Sequence, residues 1–219
     1  IEASQVKAAG FIPRRKSIFR NSVKTGDFPS GIKVGITIGD PAGIGAAITL
    51  QALKILKDKA EFTVIGDRKI LANAAQLLKI ITAPLKLIDL DNAGKNTRFG
   101  HLSAQSGRAS LEYLDAALEL LKCNVVDCLV TCPISKEAIN LAGFKFSGHT
   151  EYLSQATGRQ DLVMMLINDK LKFSLATRHV RLRDVSRKLT PRNLEVNILK
   201  TLAGLKNLFS INQMSIKKN

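Results

Sequence analysis

A chain of 219 residues, 45% of them hydrophobic, is long enough to bury one large core or a core and part of a second, and with 5% aromatics and no Trp that core must be built from Leu, Ile, Val and Ala. No apolar run approaches the roughly 20 residues that span a bilayer, so a membrane-spanning helix is excluded and a soluble, cytoplasmic protein is expected. The net charge of +15 sits largely at the two ends, with six basic against two acidic residues in 1–30 and seven against one in 186–219; no recognised nucleic-acid motif accompanies them, so they read as solvated ends and not as a nucleic-acid-binding module.

Residues 1–30 show no sustained period, contain Pro13 and Pro29, and start without Met; a basic, poorly ordered N-terminal extension is expected there. From residue 31 to 219 one α/β region is expected. Lys33 to Ile38 reads as a buried strand that stops at Gly39-Asp40-Pro41-Ala42-Gly43-Ile44-Gly45. Asp40 can cap a following helix with Pro41 in its first turn, and Ile48, Leu50, Leu53 and Leu56 offer that helix an apolar face. Glu61 to Asp67 is the next strand, Lys69 to Lys79 the next helix, and Leu85 to Leu90 a third short strand. Ser106 to Lys122 carries Leu111, Leu114, Leu118 and Leu121 at helical spacing. Val125 to Val130 follows as a strand, ending in Thr131-Cys132-Pro133-Ile134-Ser135-Lys136, where another helix can start. The three cysteines, Cys123, Cys128 and Cys132, match no zinc spacing and no even disulfide framework, so reduced, buried thiols are expected. Leu162 to Ile167 and Lys172 to Thr177 pair across Asn168-Asp169-Lys170 as a hairpin, predicting one antiparallel element that interrupts a parallel sheet, and a helix follows Thr190-Pro191 to about Leu205. Strand and helix thus alternate in the manner of a mostly parallel sheet with helices on both faces.

Five places are candidates for chemistry. The turn from Gly39 to Gly45 can cradle phosphate on bare amides, although it matches neither G-x-G-x-x-G nor G-K-[ST], and it can equally be a tight turn that lets a helix pack closely. His149 and Thr150 follow Gly148 at a helix start, where an imidazole and a hydroxyl beside free amides suit a phosphate or hydroxyl clamp; Thr150 can also be a simple cap. His179 lies just past a strand among Arg178, Arg181 and Arg183 with Asp184 following, a position for a metal-bound imidazole oriented by a carboxylate, or for an ordinary surface histidine. Lys136 and His101 are weaker candidates, Lys136 the better of the two.

Taken together, Gly39-Asp40-Pro41-Ala42-Gly43-Ile44-Gly45, Ser103-Ala104 with Gly107, Leu129-Val130-Thr131 with Pro133 and Lys136, Gly148-His149-Thr150-Glu151, and Thr177 with His179, Leu182, Arg183 and Asp184 resemble the 4-hydroxythreonine-4-phosphate dehydrogenase family of pyridoxal phosphate (vitamin B6) biosynthesis, in order and interval from about Lys33 to Pro191. The resemblance implies an α/β/α fold like that of isocitrate and isopropylmalate dehydrogenases. It implies oxidation of a phosphorylated hydroxy acid by NAD or NADP, with loss of carbon dioxide and a divalent metal (Zn, Mg or Co) polarising the hydroxyl. It also implies a homodimer. Carried over position by position, His149 and Thr150 match the substrate-binding pair and His179 the first of three metal histidines; catalytic and nucleotide-binding residues are not carried over.

The departures are specific. Segments resembling N-P-H-A-G-E and Y-H-D-Q-G, which carry the family's other two metal histidines, have no counterpart here, so an incomplete fold and a fragment inactive by itself are expected. Ala46 and Ala47 stand where the family has proline and glutamate, and Arg178 and Arg181 where it has threonine and proline; a cation beside a metal position repels the ion. The substrate expected of the parent enzyme is 4-phosphooxy-threonine. The alternatives are a threonate or erythronate 4-phosphate, or a non-catalytic remnant that binds phosphorylated ligands or nucleic acid.

Overall fold

The computed structural model describes residues 31–209 apart from 82, 83, 146, 147, 160, 161 and 169, and, of 207–209, the backbone only. The expected extension over 1–30 lies outside the described residues. The chain divides into two compact units, one running to Arg159 and one from residue 160 onward.

The first unit holds β1 (Lys33–Thr37), α1 (Gly45–Leu56), β2 (Glu61–Gly66), α2 (Arg68–Leu78), β3 (Leu87–Asp89), α3 (Ala104–Lys122), β4 (Cys128–Thr131), α4 (Lys136–Leu141) and α5 (His149–Thr157). Its four strands form one sheet in the order β3-β2-β1-β4, all pairs parallel, with Ile36 opposite Val64 on one side and Val130 on the other. Helices α1 and α2 touch each other, while α3 meets β1, β2, β4 and α4; with the right-handed crossovers that parallel sheets adopt, the strand order puts α1 and α2 on one face and α3 on the other. Helices thus cover both faces, as expected of an α/β/α fold.

The core is aliphatic, as the composition demands. Ile38, Val64 and Ile65 fill the sheet, while Leu111, Leu114 and Leu118 of α3 and Ile139 of α4 are buried beside it. Burying each such side chain is worth about 1.5–3 kcal/mol, which holds α3 to the sheet far more firmly than its surface residues do. Ser103 caps α3 by accepting the Ser106 N–H at 3.1 Å, and Ser135 caps α4 by accepting that of Ala138 at 3.2 Å.

Three expectations are corrected here. Asp40 does not cap α1: its carboxylate accepts the Ala42 N–H at 2.8 Å and its carbonyl the Gly43 N–H at 2.9 Å, so the chain turns first and the helix begins at Gly45. The apolar face of α1 consequently rotates, burying Ala46, Leu50 and Leu53 and leaving Ile48 exposed. Of the cysteines, all free, only Cys132 is buried; Cys123 and Cys128 are exposed.

The second unit contains the expected hairpin, β5 (Met164–Ile167) paired antiparallel with β6 (Lys172–Leu175), then α6 (Val185–Lys188) and α7 (Pro191–Phe209). Asn168 shapes the turn, its side-chain oxygen accepting the Lys170 and Leu171 amides at 2.9 and 2.7 Å. The hairpin is a sheet of its own and does not interrupt the parallel one, because among the described residues neither strand pairs with it. Ser174 ties β6 to α7 through the Asn197 and Thr201 side chains, and the Asn197 amide donates to the Leu175 carbonyl at 3.0 Å.

Candidate functional site

The strand order reverses direction at β1, which continues to β2 on one side and borders β4 on the other. Open α/β sheets take their ligands at this switch point, outside the carboxyl ends of the strands. Two loops meet there: 38–44 after β1 and 132–135 after β4.

The glycine turn proves to be a joint. A Cβ at Gly39, whose φ is +68°, would stand 2.2 Å from the Pro133 carbonyl oxygen, and one at Gly45 2.0 Å from that of Ile38. The Asp40 N–H donates to the Pro133 carbonyl at 2.9 Å, while the Ala42 and Gly43 amides serve the Asp40 turn. Thr49 and Cys132 meet at 3.3 Å, stitching α1 to the second loop. The Asp40, Ala42 and Gly43 amides are therefore engaged within the turn and the joint, and the close approaches at Gly39 and Gly45 favour the close-packing reading. Burial, opposed by the Ala42 bond, raises the Asp40 pKa.

His149 and Thr150 open α5, and both are half-buried. The N-cap is Gly148, with no side chain to cap the first-turn amides. The His149 ring is hydrogen-bonded to the Cys132 backbone, a bond that favours its charged form and so runs from a ring N–H to the carbonyl; burial, the larger influence, lowers its pKa. Its Nε2 is buried without a hydrogen-bond partner. In a neutral ring protonated on the other nitrogen, Nε2 is an acceptor awaiting a donor. Lys136, at the start of α4, is exposed, and its Cε comes within 3.7 Å of where a Cβ on Gly148 would stand. The β4–α4 loop thus brings Lys136 to the N-terminus of α5 and supplies the carbonyl that fixes the His149 ring.

The other sequence candidates fall elsewhere. His101 is exposed beside Gly100, whose N–H donates to the Ala42 carbonyl at 2.8 Å. His179 belongs to the second unit, exposed in a left-handed conformation with φ +52°, between β6 and the short 3-10 turn Leu182–Asp184. Among the described residues no group of three His, Cys, Asp or Glu side chains is arranged to hold a metal ion. One imidazole flanked by Arg178 and Arg181 does not make a metal site by itself.

Sequence reasoning missed two features. Tyr152, one turn beyond His149, donates its hydroxyl to Asp115 of α3. Asp67, buried after β2, accepts the Asn92 and Ala93 amides at 3.3 and 2.7 Å, fixing the segment after β3. Both link residues more than 20 positions apart, and only an acidic residue in an otherwise apolar stretch hinted at either.

These features define an α/β protein whose switch point is bordered by a backbone joint between two loops and by a helix N-terminus bearing an imidazole and a hydroxyl. Comparison with known proteins narrows the class. A family model for "Pyridoxal phosphate biosynthetic protein PdxA" matches residues 58–217, and the chain belongs to that family. It is 33% identical over 202 residues to a 4-hydroxythreonine-4-phosphate dehydrogenase of Sulfurihydrogenibium sp. (strain YO3AOP1), covering 84% of this chain and 61% of that protein. It is 35% identical over 175 residues to a D-threonate 4-phosphate dehydrogenase of Cupriavidus necator, covering 72% of this chain and 53% of the other. The crystal structure of a 4-hydroxythreonine-4-phosphate dehydrogenase from Burkholderia phymatum superimposes with a TM-score of 0.73 at 32% identity, over 80% of this chain and 58% of that one. A terephthalate 1,2-cis-dihydrodiol dehydrogenase from Burkholderia xenovorans LB400, at 24% identity and a TM-score of 0.61, shares the fold. The chain thus spans about three fifths of the length of such relatives.

Proposed function

We propose that the protein represented by this chain oxidises a phosphorylated four-carbon hydroxy acid with NAD or NADP, and that this chain supplies the substrate-holding part of the site. The primary substrate is 4-phosphooxy-threonine, on the way to pyridoxal phosphate; threonate or erythronate 4-phosphate is the alternative, in keeping with the two kinds of relative. The observation that carries the reading is His149 Nε2, buried and unpartnered at a helix N-terminus. An unmet buried acceptor is costly, by about 1–3 kcal/mol, and a ligand hydroxyl or ammonium group relieves that cost. In this arrangement the Thr150 hydroxyl and the His149 and Thr150 amides at the start of α5 take phosphate oxygens, Lys136 adds charge, and neutral His149 accepts a substrate proton donor.

His179 is proposed as one ligand of a divalent metal whose other ligands the described residues do not provide. No described residue is given to the nucleotide. A homodimer in the cytoplasm is the proposed form; exposed Leu166, Phe173 and Leu199 of the second unit offer apolar surface for another chain to cover.

The test has two arms. A protein of the relatives' full length, supplied with nicotinamide nucleotide and metal, is expected to reduce the nucleotide on one of the two phosphorylated acids; turnover of neither refutes the activity. The 219-residue chain is expected to bind the same acids, to lose that binding in His149→Ala and Thr150→Ala, and to form no NADH. NADH formation by this chain alone would overturn the view that it lacks a working metal site.

A further inference from the structure

Helix α5 carries His149 and Thr150, yet none of its residues is fully buried. A helix with nothing in the core is held by few contacts, and those few decide where its N-terminus points. One is the bond from the His149 ring to the Cys132 carbonyl. A second is Tyr152, whose ring packs against the Leu111, Leu114 and Ile139 cluster while its hydroxyl donates to the Asp115 carboxylate.

Asp115 stands on a fixed base. It lies on α3 between Tyr113, Leu114 and Ala117, all 0% exposed, so its backbone cannot follow a shift of α5. Glu112 and Glu119 are its acidic neighbours and Lys122 its basic one, and a neutral phenol donor meets the carboxylate without adding to the repulsion. A hollow of about 300 Å³, lined by Asp115, Leu118, Glu119, Lys122, Tyr152 and Gln155, runs along the contact and leaves room for α5 to tilt once the bond is lost.

We propose that Tyr152 and Asp115 are a positioning pair that sets the tilt of α5 and thereby holds His149 and Thr150 in register with the loop that carries Cys132 and Lys136. The inference rests on the reading of the α5 N-terminus as the substrate-holding wall. Tyr152 acts in two separable ways: its ring secures the helix to the cluster, and its hydroxyl fixes the angle.

The experiment uses the full 219-residue chain as wild type, Tyr152→Phe, Asp115→Ala, Asp115→Asn and the Tyr152→Phe/Asp115→Ala double variant. His149 is followed by NMR through its imidazole C–H resonances, first against pH and then against inorganic phosphate, with thermal unfolding recorded alongside. Tyr152→Phe keeps the ring and the fold. It is expected to raise the His149 pKa toward the ordinary imidazole value, as the ring becomes more hydrated, and to weaken phosphate binding roughly three- to tenfold, the effect of one hydrogen bond. Asp115→Ala should do the same, Asp115→Asn should stay near wild type because it keeps an acceptor, and the double variant should lose no more than either single one. An unchanged His149 titration in a folded Tyr152→Phe protein overturns the proposal, as do losses that add in full. Wild type that binds no phosphate refutes the reading of the site, while the His149 pKa in Tyr152→Phe still decides the positioning role.

Discussion

Gly45→Ala sets two local effects against each other at the start of α1. Helix propensity favours alanine by about 0.5–1 kcal/mol. Packing opposes it: the added Cβ would sit 2.0 Å from the Ile38 carbonyl oxygen and 2.8 Å from the Cys132 Cβ, where real Cβ atoms keep at least 3.0 Å. The obstacle is backbone at the end of β1, so α1 and the strand must part by about 1 Å, and the cost belongs at the upper end of overpacking, about 3 kcal/mol. Packing wins by roughly 2 kcal/mol. At about 2–4 °C per kcal/mol for a chain of this size, the melting temperature should drop by about 4–8 °C. Gly100→Ala is the control within the same unit: φ is +79° but nothing lies within 4 Å, so only strain of roughly 1 kcal/mol is added. Thermal and urea unfolding followed by circular dichroism compare the two. Gly45→Ala no more destabilising than Gly100→Ala would refute the claim that the turn exists for close packing. Because the displaced neighbour includes Cys132, the His149 resonances should also shift in Gly45→Ala and stay in place in Gly100→Ala.

Burial lowers the His149 pKa, so the unfolded chain binds the proton more tightly than the folded one; the stability associated with neutral His149 is complete above the unfolded value of about 6.5 and is lost as pH falls below it. Urea unfolding at pH 7.5 and 5 should therefore show a smaller loss in His149→Gln than in wild type, and an equal loss would contradict the burial. Lys136→Gln, an exposed change, should leave stability within about 0.5 kcal/mol of wild type. The same variant should weaken inorganic phosphate binding by roughly two- to fivefold at low salt, and less as salt is added; calorimetry at two ionic strengths checks it. Ser103→Ala should cost about 1 kcal/mol through the lost cap of α3 and Ser103→Gly only a few tenths, a ranking that unfolding curves resolve.

The alternation of strand and helix was readable because the buried strands are nearly continuous apolar runs and α3 repeats leucine at three and four residues. The hairpin was equally plain, since Asn168 announces its turn. Boundaries were less so. The strand read as Val125 to Val130 begins only at Cys128, because the Val125 and Val126 amides still serve the end of α3 through the Leu120 carbonyl. Asp40 misled because a short acidic side chain caps a helix and closes a tight turn with the same hydrogen bond. The motif around His149 was legible in sequence, but its setting was not. The carbonyl that orients the ring belongs to Cys132, and the hydroxyl bond that anchors the helix reaches back 37 residues to Asp115. Pairings of that kind are fixed by the sheet order, which no local pattern encodes.

The backbone joint between the two loops has a mechanical consequence. With the Asp40 amide on the Pro133 carbonyl and the Cys132 amide on that of Thr37, the ends of β1 and β4 move as one body. Helix α5 is fastened differently, through side chains: the His149 ring on the Cys132 backbone and the Tyr152 hydroxyl on Asp115. Under the proposed function the substrate would meet one cast jaw and one adjustable jaw, and changes in its shape should be absorbed by the seating of α5 while the sheet beneath stays as it is.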